Sequence, residues 1–599
     1  MLTRFARLST GRPRAVLIVA AVFFAVAGAI GGGVADHLTS GGFDDPSAES
    51  SKAADLLADE FDTGVPNVVL LVTAESGDID DPAVATAGRA LTEQLAAEPD
   101  VEDVVSYWSE NNAPPLRSEG GNRALVIGRI DTGDDEDALD SRIEELAPQL
   151  RQADGDGVLT VEVGGFAQVF HEVGTTIESD LIRAEMIALP ITLVLLLLIF
   201  GSAVSAVLPL IIGMLSVVGT FLVLRVMTGF TDVSIYSLNL TTAMGLGLAI
   251  DYSLFVVARY REELRAGHEP RAAVTRTVRT AGRTVAFSAL TVAASLCATL
   301  VFPFTFLKSF AYAGVAVALL AGLFSLVVLP AILVLLGHRV NSLTLWKRSV
   351  TPPEEGVWHR IALFVMKRPI PVATAVIALL LVMGAPFLGL KLSLPDDRVL
   401  PETASSREVH DTIRDEFSST EAGALSVVPA DAGDPDAEPV SDRVVDFYAI
   451  QLAKLQGVSR VDAATGSYCG TGMADELGCE PGQLVLGPDS SARYAGFRSD
   501  TSTYLSVVPA VEPSSAAGEQ LVHEVRDTPA PFPVMVDGQS AELIDTNDAL
   551  FARLPLALGV IAVVTAVLLF MMFGSVVIPA KAIVLNLLSL SATFGAMVW

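Results

Sequence analysis

Nine apolar runs, most of them about 20 residues long, constrain this 599-residue chain more than any other feature. They cover 15–33, 186–200, 203–226, 238–257, 285–304, 310–336, 370–388, 554–573 and 576–599. In hydrocarbon every backbone polar group needs an internal partner, so runs of this length and spacing predict helices that cross a bilayer. The first run follows Arg4, Arg7, Arg12 and Arg14 as a signal peptide would, but it is longer than a usual apolar region of that kind. No small-residue cleavage site follows at once, and a matching span recurs at 370. The expectation is a polytopic α-helical membrane protein.

Basic residues set the expected orientation. If the spans alternate, the N-terminus, the connection holding Arg259, Arg261, Arg265, Arg271, Arg276, Arg279 and Arg283, and the connection holding Arg339, Lys347, Arg348, Arg360, Lys367 and Arg368 fall on one side. The positive-inside rule makes that side cytoplasmic, and it explains these arginines without a lipid-binding role. The division expected is 1–34, a first span with a cytoplasmic N-terminus; 35–180, a first extracytoplasmic porter-like domain; 181–337, spans 2–6; 338–368, a cytoplasmic connection; 369–390, span 7; 391–550, a second porter-like domain; and 551–599, spans 8–9. The two outside insertions carry nearly all the acid behind a formal charge of −30, which argues against nucleic acid or anionic head groups as their partners.

Each insertion reads as strand, helix, strand, strand, helix, strand: 67–73, 82–97, 101–108, 123–130, 135–152 and 159–163, then 424–428, 442–455, 458–461, 502–508, 518–526 and 533–536. That order predicts two extracytoplasmic α+β domains of the ferredoxin-like βαββαβ kind. The halves repeat. A slide of 356 puts Asp55, Asp59, Glu60 and Phe61 on Asp411, Asp415, Glu416 and Phe417. A slide of 373 puts Val161, Val163 and Gly165 on Val534, Val536 and Gly538, and Phe200, Gly201 and Ser202 on Phe573, Gly574 and Ser575. Internal two-fold repeats of this kind are usual in transporters. Carried 373 onward, Asp251 falls at 624, so the reading expects a twelve-span design cut short of its last three spans.

Asp251 stands out chemically, because a charge at the centre of a membrane helix costs about 2.5–3.5 kcal/mol on insertion scales. It lies in GLGLAIDY, the stretch from Gly245 to Tyr252. Ala243, Gly245 and Gly247 are small, and Ala243, Gly247 and Asp251 recur every fourth residue, so close helix packing is expected there, with Asp251 at a helix–helix contact. Tyr252 lies about 100° around the helix from Asp251 and is either a relay partner or a packed aromatic with an interhelical bond. Ser288, Thr291 and Ser295 share one stripe of the fifth span, where they either support Asp251 or bond back to their own helix. Asn239 and Thr242 suit ordinary interhelical bonds or a hydrated path, and Lys308 suits a snorkelling anchor. Cys469 and Cys479 are expected to form an outside disulfide, against two free thiols or a metal site, and no histidine near them completes a zinc set; Cys297 fits an apolar filler within its span. No metal site or cofactor is expected. The chain holds no GxxxxGK[ST] loop and no hydrolase constellation, which speaks against direct ATP drive and against an enzyme.

Together GGFDDPSAES, FGS at Phe200, GLGLAIDYSLFVVARYREEL from Gly245, GRTVAFSALTVAASL from Gly282 and PDDRVLP from Pro395 resemble the MMPL family of actinobacterial membrane proteins, within the resistance-nodulation-division superfamily of proton-driven exporters. The resemblance implies proton-motive-force-driven export of lipids or other hydrophobic molecules across the cytoplasmic membrane by a secondary active transporter. It also implies a proton relay from an Asp-Tyr pair on the fourth span, matched here by Asp251 and Tyr252, facing an equivalent pair on the tenth. The partners implied are a lipid substrate, protons and the bilayer. Efflux of drugs or siderophores by the same fold, and a sterol or lipid receptor that does not transport, are the alternatives.

Overall fold

The computed structural model describes residues 2–598 apart from 40, 111, 134–135, 154–156, 344–356, 390–396, 418–420, 435–439, 475–477, 489–491 and 500. Part of the expected cytoplasmic connection, with Pro395 and Asp396 of PDDRVLP, therefore lies outside the described residues. Both units of the chain are built from separated stretches: an apolar one from Met1–Gly42, Leu181–Leu392 and Ala552–Trp599, and a hydrophilic one from Phe43–Asp180 and Ser393–Phe551.

In chain order the first half runs α1 (Leu2–Gly11), α2 (Pro13–Gly31), α3 (Glu49–Phe61), β1 (Val68–Ala74), α4 (Pro82–Ala96), β2 (Val101–Ser106), β3 (Arg123–Ile130), α5 (Glu136–Arg151), β4 (Leu159–Gly164), α6 (Phe166–Phe200), α7 (Ala203–Met227), α8 (Tyr236–Arg265), α9 (Pro270–Leu296) and α10 (Thr305–Leu336). The second half follows with α11 (Val357–Lys367), α12 (Pro369–Gly384), α13 (Ser405–Glu416), β5 (Leu425–Pro429), α14 (Asp442–Ala453), β6 (Val458–Ala463), β7 (Gly466–Cys469), β8 (Leu484–Leu486), β9 (Leu505–Pro509), α15 (Ala516–Asp527), β10 (Val534–Asp537), α16 (Gln539–Phe573) and α17 (Val577–Val598).

Among the described residues nine helices are long and apolar enough to cross a membrane, one for each expected run. Proline opens α2, α9 and α12, where its missing N–H costs nothing and its fixed φ suits the first turn. In the apolar unit α8 packs against α7, α9 and α10, and α2 closes on α7 and α10. The amphipathic α1 buries Ala6 and Ser9 against this bundle, and the Ser9 hydroxyl donates to the Val327 carbonyl at 2.9 Å. Cys297 is exposed on the outer surface rather than filling an interior gap, a correction that follows from its place just after α9 ends.

The hydrophilic unit holds two antiparallel sheets. The first has the order β2-β3-β1-β4 and the second β10-β5-β9-β6-β7-β8, so β10-β5-β9-β6 repeats β4-β1-β3-β2 as the ferredoxin-like reading requires. Central β1 is buried along Val68–Val72, which explains its unbroken apolar run, since a strand covered on both faces does not alternate. Positive φ at Gly165 (+91°) and Gly538 (+126°) turns the chain out of the last strand of each copy, and a Cβ there would lie 2.5 Å from the Asn67 carbonyl oxygen or 2.8 Å from that of Ala424. Two features were not foreseen. The hairpin β7-β8 extends the second sheet, and its strands are too short and too embedded in turn residues to register as a pattern; the Cys469–Cys479 disulfide that ties it, with Cα atoms 6.3 Å apart, is the expected one.

The other feature is an exchange. Helix α3, from the first half, packs on β10 and β5 of the second sheet, while α13, from the second half, packs on β4 of the first. Val409 of α13 is fully buried against Gly164, where a Cβ would lie only 2.6 Å from it. The Gly165 amide donates to His410 Nε2 at 3.1 Å. Each docked helix is capped in trans: the Ser50 amide donates to Asp545 Oδ2 at 2.9 Å, and the Ser406 amide to Glu172 Oε2 at 3.2 Å. Ser50 and Ser406 correspond under the slide of 356, and Glu172 and Asp545 under that of 373, so the capping bond is itself repeated. A carboxylate on first-turn N–H groups satisfies orphan donors and meets the positive end of the helix dipole. Arg526 reinforces one copy by binding both Asp545 oxygens at 2.9 and 3.0 Å and Glu49 at 3.0 Å. Asp545→Ala removes the partner of the Ser50 amide and two of the three bonds of Arg526, and should cost about 1–3 kcal/mol. The melting temperature of the whole chain in detergent should fall, whereas exposed Asp548→Ala should leave it unchanged; equal melting of both variants would exclude the capping role.

Candidate functional sites

In the apolar unit α8 carries Asp251 and Tyr252 on different faces. Tyr252 is 4% exposed and packs among Val256, Val285 and their neighbours, with its hydroxyl beside Ser288 but in no well-formed hydrogen bond among the described residues. Asp251, Ala243 and Gly247 are exposed, and a Cβ added at Gly247 would meet nothing within 4 Å. The expectation that this stripe lies at a helix–helix contact is therefore corrected for the described residues. Close packing falls instead on Gly245, where a Cβ would lie 2.6 Å from Val217 Cγ2 of α7 and 3.0 Å from Val317 Cγ2 of α10. Residues two apart on a helix point about 200° apart, so Gly245 and Gly247 cannot serve one contact.

The three hydroxyls of α9 separate in role. Ser288 is near Tyr252, Thr291 donates to the Phe287 carbonyl of its own helix at 2.8 Å, and Ser295 is half-buried. Thr242 likewise makes a local bond, to the Asn239 carbonyl at 3.2 Å, and Lys308 is half-buried. Of the basic residues that follow, Arg259 pairs with Glu262 at 2.7 Å and Glu263 at 2.6 Å, Arg261 donates to the Phe200 carbonyl at 2.8 Å, and Arg283 lies over the Phe287 ring.

The hydrophilic unit contributes two cavities, in the domains where a substrate pocket is expected, with linings that the sequence did not reveal. One, of about 340 Å³, has an apolar wall of Val69, Leu125, Ile127, Phe166, Phe170 and Ile413, with the two phenylalanine rings 4.1 Å apart. Its other lining is charged: Arg414 grips buried Asp397 through two bonds of 3.0 and 2.6 Å, Arg398 pairs with Glu512, and Glu542 stands nearby. The second cavity, of about 560 Å³, is rich in aromatic rings, including Tyr468, Phe497 and Tyr504. In it Arg460 binds Glu421 at 2.6 Å and Asp462 at 2.9 Å. Burial alone would push the Arg460 guanidinium down, but these two carboxylates outweigh it and raise it further above its ordinary value. Asp397 and Arg398 belong to the PDDR motif, and Gly165, Phe61 and Cys469, also singled out in the sequence, line one cavity or the other. A trio of acids, Asp62, Glu102 and Asp131, has the spacing of a metal site, but Arg129 already supplies the cation, at 2.7 Å from Glu102 and 3.0 Å from Asp131.

The fold and these sites define a polytopic membrane protein with two ferredoxin-like sheet domains around amphipathic cavities. Residues 42–372 match the MMPL family. Over its whole length the chain is 33% identical to membrane protein SCO6666 of Streptomyces coelicolor, of which it covers 77%. It is 30% identical to the trehalose monomycolate exporter MmpL3 of Mycobacterium tuberculosis, over 96% of this chain and 62% of that one. With the mycolic acid-containing lipids exporter MmpL11 of Mycolicibacterium smegmatis it shares 27% identity over 94% of this chain and 56% of that one. The chain thus spans less than two thirds of these mycobacterial relatives. In solved structures its fold is similar to that of the hedgehog release protein Disp from a water bear, with a TM-score of 0.53 at 13% identity, over 100% of this chain and 88% of that one. The chain belongs to the MMPL family.

The two glycines of α8 offer a direct check. Gly245→Val forces side-chain volume against Val217 and Val317 and should lower folded yield and melting temperature, as overpacking by about 1–3 kcal/mol does. Gly247→Val should fold as the parent does, and a matching loss there would show that the stripe is packed.

Proposed function

We propose that this protein exports lipids or other hydrophobic molecules across the cytoplasmic membrane, driven by the proton motive force. The observation that carries the reading is the cavity of about 340 Å³, with an apolar wall suited to an acyl chain and an ion-paired side suited to a polar head group. Its support from outside the chain is that relatives across most of its length are named as lipid exporters. The two sheet domains lie outside the cell on this reading, with the N-terminus in the cytoplasm. Asp251 carries the coupling proton, and Tyr252 and Ser288 hold α8 in register beside it. One charge crossing about 100 mV is worth about 2.3 kcal/mol, enough to bias a two-state arrangement of helices.

The test is Asp251→Asn in proteoliposomes with an imposed proton gradient and a fluorescent phospholipid as cargo. The substitution keeps size and much of the hydrogen bonding, so protein level should survive while transport falls to background at every pH. Tyr252→Phe should do less damage, because burial keeps the ring in place. Wild-type transport by Asp251→Asn, with the gradient as the only energy source, would refute the relay.

A further inference from the structure

The junction of β10 and α16 holds two carboxyl groups that no ion pair or helix cap uses. Asp537, the last residue of β10, is 1% exposed; the Gly538 amide reaches its carboxyl, but Oδ1 has no partner among the described residues. Glu542, one turn into α16 and well before the apolar run at 554, lines the cavity of about 340 Å³. The charges that bear on Glu542 are Asp537, Asp44 and Asp545, and those that bear on Asp537 are Asp545 and Asp55. All are acidic. Arg526 is committed to Asp545 and Glu49, and the arginines that line the same cavity are paired as well, Arg398 with Glu512 and Arg414 with Asp397.

The repeat shows that these acids are an addition. Under the slide of 373, Gly164 and Val169 stand where Asp537 and Glu542 do. The sister junction carries basic groups instead, with His410 on the Gly165 amide and Asp397 clamped by Arg414. One scaffold is therefore basic at one copy and acidic at the other.

We infer that Asp537 and Glu542 form a proton-binding pair at the edge of this cavity, and that the bound proton admits the polar end of an amphiphile. Two carboxylates sharing a desolvated site cannot both stay ionised cheaply, so one proton taken from solvent becomes an O–H donated between them. With the proton in place Glu542 is a neutral donor facing the cavity. Without it, two negative charges confront any head-group oxygen. Burial, helped by the neighbouring acids, pushes Glu542 up to about 8 and Asp537 up to about 6, so the first proton settles on Glu542 and the transition lies in a physiological range. A carboxyl whose folded value lies above its ordinary 3.8 favours the fold fully below 3.8 and loses that contribution as pH rises through about 6.

The inference rests on the cavity being an amphiphile site, so the experiment reads the two separately, on the whole chain in lipid nanodiscs. The probe is an uncharged monoacylglycerol bearing a fluorophore, and infrared difference spectra follow the protonated-carboxyl band. The wild type should bind the probe several-fold more tightly at pH 6 than at pH 9.5, and Glu542→Gln should bind equally at both. The band should titrate in two steps, near pH 8 and near pH 6, and Asp537→Asn should lose the second step and move the first to lower pH. Asp537→Asn should also melt above the wild type at pH 8 and level with it at pH 4, which guards against reading a folding defect as lost binding. A wild-type pH profile in Glu542→Gln, or no such band below pH 6, overturns the pair. A probe that binds at no pH while the band is present overturns the amphiphile reading of the cavity instead.

Discussion

The exchange of α3 and α13 between the two sheets is the interaction on which the hydrophilic unit depends. Neither helix can bury its apolar stripe on its own copy's sheet once the partner helix occupies it, so each copy is completed by the other. The terms that hold this arrangement are large. Ala53 and Leu57 on one helix and Val409 on the other are fully buried, and full burial of one aliphatic side chain of leucine or valine size is worth about 1.5–3 kcal/mol. The trans caps from Asp545 and Glu172 contribute less but decide register, because a carboxylate meets first-turn N–H groups in only one helix position.

Such an exchange also builds cavities. Val69, Leu125 and Ile127 come from the first sheet, Asp397, Arg414 and Ile413 from the segment that leads into and forms α13, and Glu512 and Glu542 from the second copy. Each contributor keeps its own buried anchor, so the space between them persists without being filled. The resulting lining is apolar where strands face it and charged where helix ends and their caps face it. Amphipathicity thus follows from the repeat and the exchange, before any demand from a ligand.

The sequence makes the elements legible and their partners obscure. Spans announce themselves because hydrocarbon admits only helices, and the βαββαβ order shows because β1, β3 and β5 are apolar runs bounded by turn residues. The copies α3 and α13 also align on Asp55, Glu60 and Phe61, yet nothing in an amphipathic stripe says which sheet receives it. That choice rests on Gly164 opposite Val409 and on caps far away in the chain, which single-sequence periodicity does not weigh. The β7-β8 hairpin escaped notice because strands of four and three residues carry too few positions for a pattern. At the membrane site, the small-residue spacing correctly marked a face of α8 but misjudged what touches it. Spacing defines a stripe and leaves its occupant open.

That open stripe poses an energetic question whose answer bears on the proposed relay. An ionised Asp251 on the outer face of a span would cost about 2.5–3.5 kcal/mol against lipid, while a protonated one would cost far less. Tyr252, a single residue further, is fixed in the packed core beside Ser288, so α8 cannot turn to bury the carboxylate without tearing out the tyrosine. On the proposed reading the helix meets the charge in one of two ways, by taking up a proton or by gaining a polar partner on the open face. A cycle that alternates the two would convert protonation into movement of one helical surface against another, with Gly245 holding the opposite face of α8 close to α7 and α10. Adjacent residues with opposed surroundings are what make such a conversion possible, since the anchor resists the displacement that the charge demands.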